Sequence, residues 1–174
     1  RVLNGIANPV DGKGELEVDA FVELDRPAYG IADRAPVNRP FETGFVAIDA
    51  LIPIGKGQRE LLVGDRTTGK TSIIVDTILH QKGRDVICIY VSIGNKRAST
   101  AKVIDLLSRS GAMDYTIIIE ADADSSSAMQ FLAPYSACSI GEYFMEQGKD
   151  VFIAYDNLSN HAVAYRSLSL LLRR

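Results

Sequence analysis

The sequence predicts an α/β domain with a mainly parallel sheet flanked by helices, preceded by a short β-rich lead-in. Three observations predict it. From residue 44 onward, apolar runs of strand length alternate with stretches of helical periodicity. Residues 86–92, V-I-C-I-Y-V-S, form a nearly continuous apolar run, as expected of a parallel strand covered on both faces. A glycine-rich segment, G-D-R-T-T-G-K-T at 64–71, stands between one such run and one such helix.

Taken in order, residues 1–45 are rich in Gly, Pro and Asp, with a strand-like piece at 16–22. The pairs Asn8-Pro9, Asp11-Gly12 and Arg26-Pro27 punctuate this segment as turns, so it reads as a lead-in and not as an independent core. The domain proper is expected over 46–174. Residues 60–63, E-L-L-V, read as a strand, and 71–81 as a helix. In that helix Ile74 and Ile78, and Val75 and Leu79, keep i, i+4 spacing, and Gly83 supplies a stop. After the strand at 86–92 comes a helix at 96–110 with Val103, Leu106 and Leu107 inward and Gly111 past its end. A third strand follows at 115–119, then a helix at 127–147 with Pro134 as a kink or a start and Gly148 as its end. The last strand, 150–155, closes on Asp156, and a final helix runs from about 160. The chain starts without an initiator Met and stops within an uncapped helical pattern, S-L-S-L-L-L-R-R, so it reads as a piece of a longer protein whose C-terminal part is missing.

Composition narrows the function. With 174 residues, 47% hydrophobic and 24% charged, the chain has the balance of an ordinary globular domain. A net charge of -3 gives no electrostatic case for nucleic acid or an anionic membrane as partner. No apolar run reaches membrane-spanning length. Cys88 and Cys138 are far apart and, with His80 and His161, match no metal-ligand spacing, which argues against zinc. They read as reduced, mostly buried thiols of a cytosol-like compartment.

The chemistry is concentrated at Gly64, Asp65, Arg66, Thr67, Thr68, Gly69, Lys70 and Thr71, which match G-x-x-x-x-G-K-[ST]. The glycines let successive backbone N–H groups converge on phosphate oxygens, and the following helix adds its N-terminal dipole. Lys70 places a point charge at the outer phosphates, and the Thr71 hydroxyl can ligate Mg²⁺. Such a loop needs an acidic residue at the end of a neighbouring strand to orient the metal's waters. Asp156, closing V-F-I-A-Y-D, supplies it. The alternative for Asp156 is a helix N-cap, with Ser159 as a competing cap.

These residues carry a wider resemblance. The run E-T-G-F-V-A-I-D-A-L-I-P-I-G-K-G-Q-R-E-L-L-V-G-D-R-T-T-G-K-T resembles the nucleotide-binding region of the rotary ATPases. G-D-R-x-T-G-K-T is similar to the alpha subunits of F-type ATP synthase and not to the beta subunits. G-N-K-R at 94–97, Q-F-L-A-P-Y-S at 130–136, G-E-Y-F at 141–144 and A-V-A-Y-R-S-L-S-L-L-L-R-R at the end agree. The resemblance covers nearly all of this chain but only the middle of an alpha subunit, between an N-terminal barrel and a C-terminal helical domain. It implies a RecA-like P-loop domain that binds ATP or ADP with Mg²⁺ through residues 64–71, with Thr71 and Asp156 at the metal and Arg66 on the nucleotide.

The resemblance also implies the setting. Alpha subunits alternate with catalytic beta subunits in a hetero-hexameric ring around a central rotary shaft, braced by a peripheral stalk. The ring couples ATP synthesis to proton transport and meets the membrane only through the proton-conducting sector. It would sit on the cytoplasmic side of a bacterial plasma membrane, or on the matrix or stromal side of an organelle membrane. The alpha sites hold Mg·ATP without turning it over. In the catalytic sister a Glu follows the glycine after the second strand; here that place is Asn95, an amide that cannot take a proton from water.

Several positions depart from the family pattern. Asn95 stands where alpha subunits have Gln, Thr67 replaces a Gln in the loop, and Asn157 replaces the second Asp of an Asp-Asp pair. Residues 120–127 are unusually acidic, so Glu120, Asp122 and Asp124 are candidates for an unusual base or, in the simpler reading, loop acids before the next helix. Lys96 and Arg97 read as a subunit link or a solvated helix start, and Tyr135, Tyr143 and Phe144 as packing residues. A competing function is a self-sufficient hexameric ATPase motor of the secretion or RNA-translocating type, which requires a carboxylate where Asn95 stands. A GTPase would need N/T-K-x-D, which the chain lacks.

Overall fold

The computed structural model describes residues 1–65 and 67–173. Its centre is a four-stranded, fully parallel sheet. β1 (Val2–Asn4), β4 (Val86–Ile93), β5 (Thr116–Ala121) and β6 (Asp150–Asp156) lie in the order β1-β5-β4-β6. A separate two-stranded ribbon pairs β2 (Pro40–Phe41) with β3 (Ile54–Gly55) around the short helix α1 (Val46–Leu51). Four longer helices follow: α2 (Lys70–His80), α3 (Arg97–Arg109), α4 (Ser127–Glu146) and α5 (Leu158–Leu172).

The strands alternate their side chains between two helical layers, as their period of two requires. One core joins Cys88, Tyr90, Ile118 and Ala154 of the sheet to Ile74, Val75 and Ile78 of α2 and Val103 and Leu107 of α3. The other joins Leu3, Ile89, Val91, Ile93 and Ile119 to Ala133 and Ala137 of α4. Both faces of β4 are therefore covered, which explains its unbroken apolar run. The parallel register sets Ser92 level with Asp156 on one side and with Glu120 on the other. Three polar residues thus end their strands in one row, at the carboxyl edge where α/β sheets bind ligands.

The lead-in contributes more than turns, because β1 forms the sheet's edge beside β5. Farther along, Arg26 pairs with Glu142 and Glu146 of α4 at 3.0 and 3.2 Å, and Tyr143 donates to Asp19 at 3.1 Å. Two expected strands do not form. Residues 16–22 and 60–63 run as irregular chain, and Leu61 and Val63 are 69% and 84% exposed. A strand persists only where a neighbouring edge takes its N–H and C=O groups. Neither segment pairs with a described strand.

Helix boundaries follow local chemistry. α4 starts at Ser127 because the Ser126 hydroxyl accepts from Met129 N at 3.3 Å, and Pro134 lies inside the helix. α5 begins two residues earlier than its apolar pattern suggests. Its N-cap is Asn157, whose Oδ1 accepts from Asn160 N at 2.9 Å, and neither Asp156 nor Ser159 takes that role. Cys88 is buried, and burial pushes its thiol up to about 12, but Cys138 is exposed, contrary to the expectation of two buried thiols. Among the described residues no helix is long and apolar enough to cross a membrane.

Candidate functional site

The glycine-rich loop turns into α2 at Gly69, whose φ of 91° lies in the left-handed region that favours glycine. A Cβ there would meet nothing within 4 Å, so the loop is open on that side. The Ile73 N–H closes onto Gly69 O at 3.0 Å, which leaves the N–H groups of Lys70, Thr71 and Ser72 ahead of the helical ladder. Together with the helix dipole they favour an anion. A hollow of about 250 Å³ lies here, lined by Thr67, Gly69, Lys70, Thr71 and Ser72.

Loop side chains hold its shape. The Lys70 ammonium donates to Gly64 O at 2.6 Å and also to Asp65 O, and Thr68 Oγ1 donates to Asp65 O at 2.8 Å. At Gly64 an added Cβ would come within 2.7 Å of Thr68 Oγ1. Asp65, Thr67 and Thr68 are exposed, and Arg66 lies outside the described residues. A larger hollow of about 410 Å³ sits at the other end of α2, beside Glu42, His80 and Arg84. There Arg84 is already paired with Glu42 at 2.5 Å and hydrogen-bonded to His80 at 2.9 Å, so the Arg84 and Glu42 charges offset one another.

The loop and the strand end meet at Asp156. Thr71 Oγ1 donates to Asp156 Oδ2 at 2.7 Å, across 85 residues of sequence. Tyr90, buried on β4, donates to the same oxygen at 2.8 Å. Burial first, and then the Asp156 charge, push the Tyr90 phenol well above its ordinary value, so it remains a donor. The residues present suit Mg²⁺ with a nucleotide. The donor set is a hydroxyl and a carboxylate, both hard oxygens, next to an open loop of N–H groups. Among the described residues no group of three or more His, Cys, Asp or Glu could hold a metal. An ion here would complete its shell with phosphate oxygens and water, the usual habit of Mg²⁺.

Asn95 comes to the same place. Its Nδ2 donates to Asp156 O at 2.8 Å and to Ser92 Oγ at 3.2 Å, and Ser92 Oγ is 2.7 Å from Thr100 Oγ1 on α3. The amide thus ties the end of β4 to the end of β6. Gly94 before it has φ of 62°, and a Cβ there would fall 2.8 Å from Asn160 Cβ. That closeness lets Asn160 Nδ2 donate to Ile93 O at 2.8 Å, locking α5 onto β4.

The acidic stretch divides. Asp122 is buried and paired with Arg97 at 2.7 Å. The Ser125 hydroxyl first, then Arg97, hold its carboxyl below the usual range, against the opposing pull of burial. This is an acid fixed in structural bonds. Glu120 shifts the other way, raised by burial and then by the Asp122 charge. Its strand is separated from β6 by β4, which places it about 10 Å from Asp156 at two strand spacings. Tyr135 packs in an aromatic group with Phe131 and His161, and Tyr143 sits edge-on to Phe144 at 5.4 Å.

These shifts give a pH prediction. Asp11, Asp49, Asp122 and Asp150 all have lowered pKa values in the fold, Asp11 chiefly through Arg1 at 2.7 Å and Asp150 chiefly through Lys56 at 2.5 Å. A carboxyl lowered below its unfolded value of about 3.9 stabilises the fold fully above that value. The contribution is lost as pH falls through the folded value. Glu120 opposes this, since acid removes the cost of its buried charge. Four groups outweigh one, so the melting temperature followed by circular dichroism is expected to fall between pH 5 and 3, and Arg97→Ala to flatten part of that fall. A melting temperature flat over this range would contradict the assignment.

Sequence reasoning missed Tyr90, Ser92, Thr100 and Asn160 as parts of this region. The signal available was period two: Tyr90 and Ser92 are polar positions interrupting an apolar strand on the face that ends in the site. Thr100 and Asn160 gave no comparable cue, because helix-start polar residues are ordinarily solvated.

A parallel sheet, a glycine-rich loop opening a helix and a carboxylate at the adjoining strand end define an α/β nucleotide-binding domain. The chain belongs to the ATP synthase alpha/beta family: that family's nucleotide-binding domain model matches residues 44–174. It is 58% identical over 175 aligned residues to "ATP synthase subunit alpha" of Acetivibrio thermocellus, covering 100% of this chain and 35% of that protein. It is 57% identical over 174 residues to the subunit of the same name from Clostridium botulinum strain Hall, covering 100% of this chain and 34% of the relative. The chain therefore spans about a third of the length of these curated relatives.

Proposed function

We propose that the chain is the nucleotide-holding part of an alpha-type subunit of a proton-translocating ATP synthase, and that its site retains Mg·ATP or Mg·ADP without hydrolysing it. The observation that carries the second half is Asn95. Its amide stands where a hydrolytic site needs a carboxylate, and its Nδ2 is engaged by Asp156 O and Ser92 Oγ. It can accept no proton from an attacking water. Asp122 is bound into its pair with Arg97, and Glu120 sits two strands away, so neither replaces it.

The remaining roles follow from the residues' chemistry. The loop's N–H groups and Lys70 bind phosphate oxygens, with Gly64, Asp65, Thr67 and Thr68 forming the rest of the cradle and Arg66 contacting the nucleotide. Thr71 and Asp156 hold Mg²⁺, which when bound neutralises phosphate charge. A site that binds tightly without turnover serves assembly and regulation. In the ring it would alternate with catalytic beta subunits about a central shaft and peripheral stalk, on the face of the membrane where ATP is made. Residues 1–45 would lead from an N-terminal barrel into the domain at 46–174.

The test uses labelled Mg·ATP. The chain is loaded, free nucleotide is removed, and the retained label is identified. Retained ATP is the expected result. Retained ADP with released phosphate would sink the holding reading and direct attention to Glu120, Asp122 and Asp124 for the missing base.

A further inference from the structure

Resting on the Mg·nucleotide reading above, the geometry points to Tyr90 as a positioning residue for the metal carboxylate: its hydroxyl, with that of Thr71, clamps one oxygen of Asp156 and leaves the other for a divalent cation's water shell. Tyr90 is 1% exposed and sits in the middle of β4. A phenylalanine would fill the same space, and a buried hydroxyl is costly unless bonded. The bond it makes, 2.8 Å to Asp156 Oδ2, therefore needs a reason beyond packing.

The sheet supplies the means. Tyr90 lies level with Ala154 on β6, and Asp156 is the next residue on that face of the strand. A diagonal neighbour at this offset is within reach of an aromatic side chain. The small Ala154, 6% exposed, leaves the tyrosine ring room beside it. The hydroxyl thus reaches the carboxylate from the strand while Thr71 reaches it from the first turn of α2, at 2.7 Å. A carboxylate held by one donor still swings about its terminal torsion. Two donors from separate elements on the same oxygen fix the carboxylate's orientation. Oδ1 accepts from no described residue. A carboxylate held ready in this way meets the exacting geometry of Mg²⁺ without an ordering cost at binding.

Because the clamp acts on the metal's partner, its signature is the Mg²⁺ dependence of binding. The dissociation constant of ATP is measured for the full chain with excess Mg²⁺ and with EDTA, and the ratio is compared between parent and Tyr90→Phe. The ratio is expected to fall about tenfold in the variant. An unchanged ratio, or equal weakening under both conditions, overturns the proposal, the latter by showing that Tyr90 serves packing. In an Asp156→Asn background Tyr90→Phe is expected to change the ratio no further, and a second tenfold fall there overturns it too.

Should Tyr90→Phe fail to fold, the unsubstituted chain still decides. With ring-labelled tyrosine, the solvent-shielded Tyr90 hydroxyl proton is expected to shift in the NMR spectrum when Mg²⁺ joins the ATP-loaded chain. A signal that stays in place overturns the clamp. A parent that binds ATP with no response to Mg²⁺ overturns the clamp while leaving nucleotide binding intact. A parent that binds no ATP under either condition overturns both.

Discussion

Replacing Lys70 with alanine is expected to weaken ATP binding about a hundredfold, or about 2.8 kcal/mol. Lys70 Nζ now donates to two neutral loop carbonyls, Gly64 O at 2.6 Å and Asp65 O. Turning to a phosphate exchanges these neutral acceptors for anionic ones, and hydrogen bonds to charged groups are worth about 1.5–3 kcal/mol. The loop's N–H groups and the α2 dipole remain, so binding is weakened and not abolished. Lys70→Arg keeps the charge but brings a planar fork in place of a compact ammonium, and should recover only part of the loss. Isothermal titration of each variant with Mg·ATP checks this. An affinity for Lys70→Ala within twofold of the parent would remove the loop from the phosphate site.

The expected outcome at Lys70 is legible in the sequence, and the reason is local. The loop, the helix it opens and the capping or stop residues are set by neighbours within a few positions, so their pattern survives in the sequence. The same holds for β4, whose apolar run reports burial on both faces, and for Asp156, marked by its place after such a run. What could not be read depends on partners distant in sequence. Residues 60–63 have a strand's composition and no described neighbour to pair with. β1 belongs to the sheet only because β5, more than a hundred residues later, accepts it. Tyr90 looked like one more large residue in a core strand until the register set it diagonal to Asp156. Asn157, noted as a missing charge, proved to be the cap of α5.

Ile89→Ala is expected to cost about 3–4 kcal/mol of folding stability and to loosen the site it does not touch. Ile89 is fully buried at the centre of β4, level with Ile117 of β5 and Ile153 of β6, and packs in the core beneath α4. Removing its branched side chain loses the burial of three carbons and leaves a cavity that paired strands cannot collapse around. A domain of this size has about 5–15 kcal/mol in all, so the change is a large fraction. Leu61→Ala is the contrast: Leu61 is 69% exposed, and its loss should stay within about 0.5 kcal/mol. Urea unfolding of both variants separates the two cases, with the midpoint shifted for Ile89→Ala and the slope retained. A cost below about 1 kcal/mol at Ile89 would mean that the strand centre is not packed as described. The functional consequence follows from register, since β4 and β6 hold Ser92 level with Asp156, whose carbonyl accepts from the Asn95 amide. A sheet loosened three residues before Ser92 would widen that edge, and the Mg²⁺-dependent part of ATP binding should weaken along with the fold.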